Sequence, residues 1–92
     1  MDQESKEILT ILQEECAEVI VDISKCFRFG PDQCILDTDE TNIQRLQKEL
    51  GDVQALVDLL VKKNIGVTKA GINTAKQHKL NKLKIWSNIN VK

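Results

Sequence analysis

The sequence predicts an all-α fold, a helical bundle completed by association of chains. Two observations carry the helices: apolar residues recur at the 3.6-residue period over long stretches, and strong breakers fall between those stretches. A third carries the association. Leu9, Ile20, Val21 and Val61 lie off the main apolar stripes and form a second apolar face. A chain of 92 residues has only a modest core with which to cover it.

Each element has its own signals. Residues from about 5 to 27 read as one amphipathic helix with Ile8, Leu12, Val19, Ile23 and Cys26 on its stripe. Gly30-Pro31-Asp32 stops it, because the residue before a proline avoids the helical region. A polar connection leads to Asn42. Thr41 with Gln44 three residues on is a capping-box pattern, which opens a second helix over 42–63. Leu46, Leu50, Val53, Val57 and Leu60 form its stripe, and Asn64-Ile65-Gly66 is a C-terminal stop. Thr68 caps a third helix over 68–86, with Ile72, Leu80 and Leu83 as its apolar contacts. Gly71 weakens the first turn of that helix. Residues 1–92 thus form a single domain.

Composition excludes several classes of function. Aromatic residues make up 3% of the chain, too few for a nucleic-acid stacking surface. No stretch approaches the roughly 20 apolar residues of a membrane span, and the acidic N-terminus lacks the apolar run of a signal peptide. Cys16, Cys26 and Cys34 fit no zinc-ligand spacing, so they read as free thiols in a reducing compartment, and the expected location is cytoplasmic.

Two acidic pairs break the packing pattern. Glu15 and Glu18 lie three residues apart on the first helix, and Glu49 and Asp52 three apart on the second. At 100° per residue, Glu15 lies about 20° outside Ile8, Asp22 about 40° and Glu18 about 80°. Glu49 lies about 60° from Leu46 and Asp52 about 120°. A carboxylate this close to a core costs several kcal/mol unless it is paired or bound to metal. Two such pairs on packed helices offer a cage of hard oxygen ligands suited to Mg²⁺. Gly51, between Glu49 and Asp52, either lets a helix or ligand approach closely or is a tolerated surface glycine.

Charge is divided along the chain. All fourteen acidic residues and five basic ones lie in 1–61, whereas 62–92 holds eight lysines and no acid. Two compatible readings follow: the basic helix docks on the acidic ones, within or between chains, and metal ions on the acidic side with phosphates bridging to the lysines join the halves.

Glu14-Glu15-Cys16-Ala17-Glu18 followed by Glu49-Leu50-Gly51-Asp52 resembles the E-E-x-x-E … E-x-x-D signature of the MazG-like all-α nucleoside triphosphate pyrophosphohydrolases. The stretches from Ser24 to Gly30 and from Lys79 to Trp86 also look like the short single-domain members of that family. The resemblance implies hydrolysis of a nucleoside or deoxynucleoside triphosphate to the monophosphate and pyrophosphate, dependent on Mg²⁺ or Mn²⁺. It implies metal ligation by Glu15, Glu18, Glu49 and Asp52, with Glu15 and Glu14 as catalytic candidates. Glu14 has three open roles: holding a further metal, orienting the water, or simple solvation. Lys79 and Lys82 sit where family members meet the phosphates, with Lys76 and Lys84 as competitors. Trp86 lies either against a base or over a core or interface, and His78 has no assigned role. A homodimer or a dimer of dimers is implied. The rival readings are a catalytically inactive helical binding module, which would have lost a motif acid, and a nucleic-acid binder. The latter conflicts with a pI near 5.8.

Overall fold

The computed structural model describes residues 1–91 and contains three helices: α1 (Gln3–Phe29), α2 (Asn42–Lys62) and α3 (Lys69–Trp86). No strand occurs among the described residues. A single antiparallel bridge joins Cys34 to Thr41.

α1 begins two residues before the expected start, because Asp2 rather than Ser5 opens it. The Asp2 carboxylate accepts the Ser5 backbone N–H at 2.8 Å, which fills one of the donors a helix start leaves free. That N–H, together with the Lys63 ammonium, lowers the Asp2 pKa to about 2. α1 ends where Gly30 adopts φ 94°, a conformation suited to glycine, and the Gly30 N–H bonds to the Cys26 carbonyl at 3.0 Å.

The connection is more ordered than its polar sequence suggests. Ile35 N–H donates to Glu40 O at 2.8 Å, and the Thr38 hydroxyl donates to Ile35 O at 2.7 Å. Asp37 takes the left-handed turn at φ 63°. The capping box of α2 forms as its sequence requires: Gln44 N–H donates to the Thr41 hydroxyl, and Thr41 N–H donates to the Gln44 side chain at 2.9 Å. Asn64 (φ 56°) and Gly66 (φ 107°) turn the chain after α2. Thr68 caps α3 by accepting Gly71 N–H at 3.0 Å. A Cβ on residue 71 would stand 3.0 Å from that same hydroxyl, so the glycine that weakens the turn also leaves room for its cap.

α1 and α2 pack antiparallel. At one end Lys63 Nζ lies 3.1 Å from Asp2 and 3.6 Å from Glu4; at the other, the Asn42 side-chain amide donates to Gly30 O at 3.0 Å. Between these clasps the apolar seam is thin. Ile8 and Leu60 are buried, whereas Leu12, Val19, Leu46, Val53 and Val57 are half-buried. Ile23 and Leu50, expected on the stripes, are exposed, as is Leu80 of α3. α3 buries no residue. The backbone forms a plate of 41 × 38 × 15 Å with a radius of gyration of 16.1 Å. A compact chain of this length would have a radius of about 12 Å. Its thinnest dimension is less than half of either other one, and with no residue of α3 buried the three helices do not close around a common core.

Candidate metal centre

The antiparallel hairpin brings three carboxylates together midway along its seam. Glu15 comes from α1, and Glu49 and Asp52 come from successive turns of α2. One oxygen from each lies within 4.8 Å of the others. Glu15 is half-buried and Asp52 exposed, while Glu49 is only 8% exposed.

Glu49 is the hinge of the cluster. Its Oε2 is buried and has no hydrogen-bond partner, and its Oε1 lies 3.9 Å from Arg45 Nε. The Glu15 carboxyl, close enough to share a proton, raises the pKa of Glu49. Burial and the negative charges of Glu15 and Asp52 raise it further, against the pull of Arg45. An orphaned buried oxygen among converging carboxylates is poorly stabilised by the protein alone. A divalent cation with hard oxygen ligands fits this donor set.

Not every candidate ligand joins the group. Glu18 is exposed on α1 and stands outside it, as does the exposed Glu14. The periodicity that put Glu15 and Glu18 on one side of α1 could not say which would face α2. Lys79, Lys82 and Lys84 are exposed on α3, as are His78 and Trp86, the last at 82%. Lys76 instead lines a groove between α2 and α3 with Lys62, Lys69 and Asp58. Gly51 has open space where a Cβ would be, on a shallow surface shared with the exposed Ile43 and Leu50, so nothing within the chain uses its small size.

Asp22 carries a burden its sequence position only hinted at. It is 3% exposed and its Oδ2 lacks a partner. Burial raises its pKa, opposed chiefly by the Arg45 charge and reinforced by that of Glu49. Arg45 also lies 3.6 Å from Glu40, which pairs with Lys48 and has its own pKa lowered by that contact. The sequence signals were the place of Asp22 beside the α1 stripe and the i,i+4 spacing of Arg45 and Glu49.

An all-helical hairpin that gathers three carboxylates in this way offers a candidate site for a divalent cation. The family model for the MazG nucleotide pyrophosphohydrolase domain matches residues 3–85, and the chain belongs to that family. Comparison with curated proteins and with solved structures gave no significant match. No helix among the described residues is long and apolar enough to cross a membrane.

Proposed function

We propose that this protein is a Mg²⁺-dependent nucleoside triphosphate pyrophosphohydrolase that converts an NTP or dNTP to the monophosphate and pyrophosphate. The observation that carries the reading is the convergence of Glu15, Glu49 and Asp52 around the buried, unpartnered Oε2 of Glu49, in a chain of the MazG domain family.

Glu15, Glu49 and Asp52 would hold the cation, and Glu18, one turn along α1 and outside the cluster in the free chain, would have to turn toward it to serve as a fourth ligand. When bound, Mg²⁺ (or Mn²⁺ in its place) screens the triphosphate, polarises the α-phosphoryl group and lowers the pKa of a water. Glu15, or Glu14 beside it, accepts the water's proton. The water oxygen bonds to the α-phosphorus while the bond from that phosphorus to the β-bridging oxygen breaks, and pyrophosphate leaves. Lys79 and Lys82 offset the charge gathering on that leaving group.

The functional unit is a homodimer or a dimer of dimers. Support comes from the thin plate and from large apolar side chains left in solvent, such as Ile20 at 70% exposure and Phe27 at 86%. The cytoplasm is its proposed location, supported by three free cysteines.

Titration calorimetry with Mg²⁺ tests the site directly. Glu15→Gln and Glu49→Gln keep the side-chain shape and remove the charge, so each should weaken Mg²⁺ binding at least about 10-fold, worth about 1.4 kcal/mol. Unchanged affinity in both variants would refute the assignment.

A further inference from the structure

A cavity of about 310 Å³ opens where the connection folds back beside the end of α1. Phe29, Cys34, Ile35 and Leu36 supply apolar walls, and Lys25 and Asn42 bring polar groups. The ordered loop shapes it: the Ile35–Glu40 and Thr38–Ile35 hydrogen bonds fix the chain carrying Cys34, Ile35 and Leu36. Asn42 is buried, with its side-chain N–H₂ committed to Gly30 O, which leaves its carbonyl as an acceptor. An apolar slot with a few fixed polar groups is the general form of a small-molecule site.

Its position relative to the acidic cluster identifies an occupant. Glu15, Asp22 and Phe29 are spaced by sevens on α1, and Asn42 and Glu49 by seven on α2. Residues seven apart fall on nearly the same line along a helix, drifting by about 20°. The cavity and the carboxylate cluster are therefore two stations on one seam, separated by about 10 Å of helical rise between Asn42 and Glu49 on α2 and by about 21 Å between Phe29 and Glu15 on α1. Lys25, at the cavity, faces Asp22 closely enough for its charge to act on that carboxyl. An extended ligand whose charged end meets the cation at the carboxylates, and whose flat, weakly polar end lies beyond a sugar and part of a phosphate chain, would span both.

We propose that this cavity receives the nucleobase of the nucleoside triphosphate, with the Phe29 ring against the face of the base. Gln33 meets its polar edge as donor and acceptor, Asn42 as an acceptor and Lys25 as a donor-only ammonium. The Phe29 ring lines the cavity and is half-exposed, with the Arg28 guanidinium 4.8 Å from its centroid. This placement rests on the pyrophosphohydrolase reading and adds where selectivity among bases is set.

Two ligands separate base binding from phosphate binding: a deoxynucleoside triphosphate with a non-hydrolysable α,β-methylene bridge, and inorganic tripolyphosphate, each titrated calorimetrically with Mg²⁺ present. Cys34→Trp fills the cavity, and Leu36→Ala removes a wall at a position 86% exposed, where folding is insensitive to the change. Cys34→Trp should weaken nucleotide binding by about 5- to 150-fold, the worth of one base–aromatic contact. Leu36→Ala should weaken it in the same direction, and neither should change tripolyphosphate binding. If Cys34→Trp fails to fold by circular dichroism, Leu36→Ala decides alone. Nucleotide affinity equal to wild type overturns the proposal, and so does an equal loss for nucleotide and tripolyphosphate. Unchanged nucleotide affinity with a smaller sedimenting species overturns it too, by giving the cavity to a second copy of the chain. A wild-type protein that binds neither ligand with Mg²⁺ brings down the parent reading and this proposal with it, a result distinct from the others.

Discussion

Asp22 and Glu49 place two carboxylates where water cannot reach one oxygen of each. Both have raised pKa values, by burial for Asp22 and first by the Glu15 carboxyl for Glu49. A carboxyl whose folded pKa lies above its unfolded value contributes stability below the unfolded pKa and loses it as pH rises through the folded one. These two groups therefore favour the metal-free fold under acid conditions and oppose it near neutrality, the reverse of Asp2 and Glu40, whose values are lowered. Mg²⁺ binding runs the other way: it needs Glu49 ionised, so affinity should fall as pH drops through that raised pKa. An unpartnered buried polar group costs about 1–3 kcal/mol. Asp22→Asn should accordingly raise metal-free stability at neutral pH by about 1 kcal/mol, or about 4–8 °C in Tm for a domain of this size. Scanning calorimetry at equal protomer concentration checks this, and a destabilised variant would mean that the attraction between Arg45 and the Asp22 carboxylate outweighs the cost of its burial. The helical wheel placed Asp22 beside the stripe, yet periodicity does not distinguish a rim carboxylate from a buried one. That difference arises only when α2 brings Arg45 and Glu49 against it.

At the scale of elements, legibility follows how local the cause is. The start of α2 was readable because Thr41 and Gln44 satisfy each other's backbone within four residues. The start of α1 fell two residues early because Asp2 is an equally good cap that draws on Lys63 from the far end of α2. Leu80, Ile23 and Leu50 were expected against neighbours and lie in solvent, since the helical period says which residues share a face but not what covers it. The loop cavity gave no signal, being built from non-periodic residues and backbone turns. α3 is the element with the most function proposed for it and the least packing. Lys79→Ala and Lys82→Ala should each lower kcat/KM by about 30- to 1,000-fold, the worth of a preorganised charge contact of about 2–4 kcal/mol. The loss should fall on kcat as well as KM, because a lysine facing the leaving pyrophosphate acts mainly in the transition state. Steady-state kinetics, with helicity checked by circular dichroism, reads this. Effects under about twofold on both would move the phosphate role to other side chains, with Lys76 the first alternative through its place in the α2–α3 groove.

For the whole molecule, shape and surface make one demand. A plate 15 Å thick, with Ile8 and Leu60 as its buried apolar residues, leaves most of its apolar side chains without cover. Gly51 shares a shallow surface with the exposed Ile43 and Leu50, and its open side would let another helix come close. Sedimentation at micromolar concentration should give a species of two or four chains, and a clean 10.4 kDa monomer would contradict the assembly. The central claim, that this cluster supports nucleotide hydrolysis between the α- and β-phosphates, has a direct readout in the products. The protein is incubated with a panel of nucleoside and deoxynucleoside triphosphates and Mg²⁺, and the phosphorus products are resolved by NMR. The account expects monophosphate and pyrophosphate in equal amounts from at least one substrate, lost on chelation and in Glu49→Gln. Release of orthophosphate with a diphosphate, or no turnover of any triphosphate by the folded, Mg²⁺-loaded protein, would contradict it.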